Sequence, residues 1–177
     1  MKILLAYGSV YGSTEEIAQK LAKILTDQGE SVDLLRLKKR TRVDLSQYDG
    51  VILGTPVYTD NPLAECKLFW ENYEDELLTK RFGFFLTGAN PKKLEKRIRY
   101  FLSFDLQNVI VAKGHFGGRF IEVKKMRFLH RMYMKMIAAQ EGIPNIQLSE
   151  ENALAFANDY LGIVYEEAMP ACAEDEE

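Results

Sequence analysis

Cysteine is nearly absent from this chain of 177 residues, and its two examples, Cys66 and Cys172, stand far apart with no CxxC spacing. That excludes a disulfide framework or a cysteine-ligated zinc site as the organising feature. Histidine is equally scarce, and neither His115 nor His130 has an identifiable carboxylate partner, so both read as structural. No apolar run approaches the length of a membrane span. The N-terminus places one lysine and five apolar residues before its first glycine, too few for a signal-peptide core. A cytoplasmic location is the expectation. Net charge is low, at −3, which argues against nucleic-acid binding.

The composition that remains is that of an ordinary soluble domain, 47% hydrophobic and 28% charged. One domain is expected over residues 1–170, followed by an acidic, frayed tail at 171–177. Charge is distributed unevenly. Lys113 to Lys135 holds seven basic residues against the single acid Glu122, a net of +6, so the remainder of a chain of net −3 carries −9.

Strand-like and helix-like segments alternate. The first apolar run, 2–7, is too short for a helix and reads as a buried strand. After it, Ile17, Leu21, Ile24 and Leu25 fall on one face of a helix over about 13–28. Further strands are expected at 31–37, 50–54, 82–86 and 108–112. The third should stop at Thr55-Pro56. Pro62 is placed to open a helix reaching about Leu78, and Pro91 opens another with Leu94, Ile98, Phe101 and Leu102 on one face. A basic helical stretch is expected at 122–139, and Ser149 is the expected cap of a last helix. Such alternation implies a parallel sheet covered on both faces.

The first strand-to-helix junction reads Gly8-Ser9-Val10-Tyr11-Gly12-Ser13-Thr14. A turn of this kind aims backbone N–H groups and the positive end of a helix at one point, which suits an anion. The Walker pattern is absent, since Ser13 stands where its lysine would be, and so is GxGxxG. A lysine-free loop of hydroxyls suits a phosphate monoester. A receiver-type signalling domain is excluded because the third strand ends Gly54-Thr55-Pro56, with no aspartate to phosphorylate.

On these residues the sequence resembles flavodoxins, whose signature is a strand followed by Ser/Thr-x-Thr-Gly-x-Thr; Ser9 to Thr14 follow it with Tyr11 at the second threonine. The resemblance implies a flavodoxin-like α/β three-layer sandwich. Its five-stranded parallel sheet would have the order 2-1-3-4-5, with a helical insertion after strand five, and FMN as cofactor. It implies that Ser9, Val10, Tyr11, Gly12, Ser13 and Thr14 hold the phosphate. Thr55, Pro56, Val57 and Tyr58 after strand three, and Thr87, Gly88, Ala89 and Asn90 after strand four, would meet the flavin, with Thr55 and Thr87 able to hydrogen-bond either flavin or phosphate groups. Tyr58 is the first candidate to stack on the ring and Tyr11 the second; an ordinary surface aromatic is the alternative at Tyr58.

The stretch AKGHFGGRF and the basic segment after it resemble the menaquinone-dependent protoporphyrinogen oxidase branch of the superfamily. That implies a quinone or a redox protein as partner. On a helical wheel Lys124, Arg127, Arg131 and Lys135 cluster within about 80°, opposite a methionine-rich arc. The cluster is either a solvated face or a docking surface for anionic membrane or an acidic partner. A second class of function stays open: a flavodoxin-fold interaction protein that binds no flavin and docks through the basic helix.

Overall fold

The computed structural model describes residues 1–88, 90–118, 132 and 150–163. Five parallel strands carry the sheet: β1 (Lys2–Tyr7), β2 (Ser31–Arg36), β3 (Gly50–Tyr58), β5 (Arg81–Thr87) and β6 (Ile110–His115). Their spatial order is β2-β1-β3-β5-β6. A two-residue strand, β4 (Asn61–Pro62), pairs antiparallel with the end of β3. With that hairpin set aside, the order is the expected 2-1-3-4-5.

Period-two alternation divides the strand residues between two cores. Leu4, Ala6, Val51, Leu53, Phe82, Phe84 and Leu86 face one side, where they meet α2 (Ala64–Asn72), α4 (Leu94–Phe101) and α5 (Phe104–Val109) through Phe69, Trp70, Ile98 and Leu106. Ile3, Leu5, Tyr7, Ile52, Phe85 and Ala112 face the other. There they meet α1 (Ser13–Asp27) and α6 (Glu150–Leu161) through Ile17, Leu21, Leu25, Phe156 and Tyr160. Phe82, Phe84 and Phe85 are all fully buried, each contributing roughly 1.5–3 kcal/mol by leaving water. Between them the sheet needs a gap: a Cβ at Gly54 would lie 2.1 Å from the Phe85 ring.

Three boundaries differ from the sequence expectation. β3 does not stop at Thr55-Pro56 but continues to Tyr58. Pro56 lies past the last β1 pair, Tyr7 with Gly54, so that flank makes no use of the N–H that proline lacks. Pro62 does not open a helix, because the hairpin takes it. α2 starts at Ala64 and breaks at Tyr73, and α3 (Glu74–Leu77) adds one further turn. The fifth parallel strand starts at Ile110, not Asn108. Asn108 and Val109 close α5, whose first turn is capped by Ser103 Oγ accepting from the Leu106 amide at 3.3 Å. A six-residue helix is too short for periodicity to reveal.

The expected basic helix with Lys124, Arg127, Arg131 and Lys135, and also His130, Ser149, Cys172, Ala89 and the tail 171–177, lie outside the described residues. No helix among the described residues is long and apolar enough to cross a membrane.

Candidate functional site

The Gly8–Thr14 turn leaves β1 at the carboxyl edge of the sheet. Gly8 N–H donates to Gly54 O at 3.0 Å, which ties the turn to β3. Gly12 is the N-cap of α1, at φ +94°, where a side chain would be strained. Gly12 brings no side chain to cap α1, and Glu16 N–H donates to Gly12 O at 2.9 Å as the helix ladder opens. The N-terminal end of a fifteen-residue helix therefore lies at the turn.

The hydroxyls converge there. Ser9 Oγ accepts from Gly12 N–H at 3.1 Å and shapes the turn from within. Thr14, nearly fully buried, shares a 2.7 Å hydrogen bond with Thr87, equally buried at the end of β5. The sequence offers Thr87 to either the flavin or its phosphate; in the fold its side chain meets the Gly8–Thr14 turn. Val10 is exposed, and Tyr11, Gly12 and Ser13 are half-buried.

A cation reaches this lysine-free loop from another element. Arg36, ending β2, donates through Nη2 to Ser9 O at 2.8 Å and through Nη1 to Glu15 Oε2 at 3.3 Å. Tyr7 OH donates to the other Glu15 oxygen at 3.3 Å. Burial, reinforced by the Glu15 charge, raises the Tyr7 pKa. Arg36 was invisible to motif reading because it is distant in sequence and belongs to no pattern.

The second loop splits into buried and presented parts. Thr55 is fully buried, and both its bonds are internal: Oγ1 donates to Pro56 O and accepts from Leu63 N–H, each at 3.2 Å. Pro56 and Val57 are buried as well, and Val57 packs into the core beneath α2 and α4. Tyr58 stands at the rim, edge-on to Tyr11 with ring centroids 5.7 Å apart. The two aromatic candidates thus form one cluster. Beyond Tyr58, Thr59 and Asp60 make a two-residue hairpin turn with φ of +52° and +58°. Positive φ at both positions is the signature of a type I′ turn, which favours Asn-Gly. Left-handed backbone costs about 1–2 kcal/mol per L-residue, and is most unfavourable for a β-branched one such as Thr59.

The third loop carries Gly88 at φ +137° and Asn90 at φ +67°. Gly88 N–H donates to Gly117 O at 2.7 Å, tying it to the chain after β6. There His115 is buried; its Nδ1 accepts from Gly117 N–H at 3.2 Å, and its Nε2 has no hydrogen-bond partner among the described residues. Burial, and secondarily the Arg97 charge, pushes its pKa down to about 4. Cys66 packs in the core, where burial pushes its thiol up to about 12. No cluster of potential metal ligands occurs among the described residues.

An open parallel sheet with a glycine-opened helix end and hydroxyls at its switch point defines a flavodoxin-like α/β protein whose first turn suits an anion. The chain belongs to the flavodoxin domain family, which matches residues 4–145. It is similar in fold to a short-chain flavodoxin associated with a non-canonical PDU bacterial microcompartment, with 16% identity over 92% of this chain and 97% of that one and a TM-score of 0.62. It is also similar to the flavodoxin of Streptococcus pneumoniae TIGR4, at 21% identity, 93% and 100% coverage and a TM-score of 0.55. Oxidised flavodoxin 1 from Bacillus cereus gives 17%, 93% and 100%, and 0.55. Family membership makes FMN the cofactor and electron transfer with redox partners the class of activity. The donor set fits that group, since neutral hydroxyls and helix-end amides suit a phosphate monoester.

Proposed function

We propose that the chain is an FMN-dependent electron carrier whose turn 9–14 holds the phosphate and whose Tyr58–Tyr11 cluster borders the flavin ring. The observation that carries this reading is the convergence of the glycine-opened α1 terminus with the Thr14–Thr87 hydroxyl pair. FMN supplies the capacity to accept and release electrons one or two at a time. The protein supplies the rest. The amides opening α1 neutralise the phosphate, Arg36 holds the Ser9 carbonyl and Glu15 in place, and buried Thr55 braces the second loop. Tyr58 and Tyr11 offer apolar faces at the rim.

Titration of apoprotein with FMN, read by flavin fluorescence, tests the reading. Saturable quenching at micromolar ligand is expected. Its absence would favour the flavin-free interaction protein. Tyr58→Ala should shift the visible spectrum and midpoint potential of bound FMN; a parental spectrum and potential would reduce Tyr58 to a packing partner of Tyr11.

The finer reading, supported by the sequence around AKGHFGGRF and the +6 segment, is a porphyrinogen-to-quinone couple with docking to anionic membrane through Lys124, Arg127, Arg131 and Lys135. Anaerobic reduction of a menaquinone analogue by the reduced protein, together with salt-dependent co-sedimentation on anionic but not neutral vesicles, is the expected pair of results. A reduced protein inert toward quinone returns the acceptor to a soluble redox protein.

A further inference from the structure

Every non-glycine residue at positive φ among the described residues lies in the two loops proposed to border the ring: Thr59 and Asp60 after β3, and Asn90 after β5. One side chain touches both loops. Arg97 of α4, only 7% exposed, donates to Asp60 Oδ1 through Nη2 at 2.7 Å and Nε at 3.3 Å. Its Nη1 donates to the Asn90 carbonyl at 3.2 Å. Lys93 adds a bond to Asp60 Oδ2 at 3.2 Å. Two strained turns from different strands thus converge on one guanidinium, whose planar fork can serve acceptors in two directions at once.

We propose that Arg97 is a positioning residue that locks the Thr59–Asp60 turn to the Asn90 loop and so sets where Tyr58 stands against FMN. The inference rests on the FMN reading. The packing beneath supports it: Val57, adjacent to Tyr58, and Ile98, adjacent to Arg97, are buried in the same core. The strand end and the middle of α4 are thus packed into one core, and the turn between Tyr58 and Asn61 projects beyond it. An unfavourable backbone conformation persists only where its surroundings over-determine it, and Arg97 is the buried group that makes contact on both sides. A lysine would not substitute, since a single ammonium lacks the fork that reaches Asp60 and the Asn90 carbonyl together.

The test uses the full chain with Arg97→Gln and Asp60→Asn. Amide hydrogen exchange of residues 57–61 and 88–90 is measured on apoprotein, and FMN affinity and midpoint potential on the loaded protein. Arg97→Gln is expected to speed exchange in both loops at least tenfold, weaken FMN at least threefold and shift its potential, with smaller changes in the same direction for Asp60→Asn. Parental exchange in either loop overturns the lock, and faster exchange with parental affinity and potential overturns the positioning role. Asp60 is half exposed, so its variant decides the matter if Arg97→Gln fails to fold. A parent that binds no FMN sinks the cofactor reading instead, while the apoprotein exchange still decides the lock.

Discussion

Between pH 7 and pH 4, the parent apoprotein is expected to lose about 3 kcal/mol of stability that a His115→Asn variant retains. Three observations at His115 lead there. The Gly117 amide donates to Nδ1, so the neutral ring carries its proton on Nε2, in a buried position with no partner among the described residues. Desolvation penalises the charged ring, the nearby Arg97 guanidinium penalises it further, and the pKa falls from 6.5 to about 4. The folded pKa therefore lies below the unfolded one. Over that window the unfolded chain binds the proton and the folded one resists it, so this group's contribution is present at pH 7 and drains away as pH drops through 6.5 toward 4. Asparagine keeps an oxygen where Nδ1 accepts and does not titrate. Urea unfolding of both proteins across this range, compared as a difference, cancels the carboxylates they share. Parallel curves for parent and variant would show that the ring reaches water or a partner that solvates its charge.

Thr14→Ala should weaken FMN binding by several-fold to about a hundredfold. Losing one hydrogen bond costs about 0.5–1.5 kcal/mol, or up to about 3 kcal/mol to a charged acceptor, and each 1.4 kcal/mol is tenfold in Kd. The structure adds a second route to the same loss. Thr14 is the partner of buried Thr87, so alanine strands a second hydroxyl in the core. Thr14→Ser restores the hydroxyl without the methyl group and is expected to bind FMN like the parent. Fluorescence titration of the two variants separates the possibilities. If alanine binds as tightly as parent, the phosphate sits elsewhere; if serine is as weak as alanine, the methyl packing matters more than the hydroxyl.

The strand–turn–helix at Gly8–Thr14 was legible in sequence because every part of it is local. A strand, two glycines, three hydroxyls and an amphipathic helix follow one another within 25 residues, and short-range geometry dictates how they meet. The flanking helix Leu94–Phe101 was legible for a similar reason: Leu94, Ile98, Phe101 and Leu102 declare a face, and all four pack on the first core. What periodicity missed were elements of one or two turns. α5 depends on the single Ser103 cap, and the hairpin at Thr59–Asp60 lacks the Asn-Gly that would have announced it.

The amino-acid sequence by itself determined the alternation of strands and helices, the buried central strands and the anion-suited turn after β1, because hydrophobic period and turn chemistry act between near neighbours. Only the tertiary structure decided which hydroxyls share that turn and what holds the rim. Thr14 and Thr87 are 73 residues apart, Ser9 and Arg36 are 27 apart, and Asp60 and Arg97 are 37 apart. The first two pairs meet because parallel strands set their carboxyl ends side by side, and the third because α4 packs against the sheet beneath the Thr59–Asp60 turn, consequences of topology that no local pattern encodes.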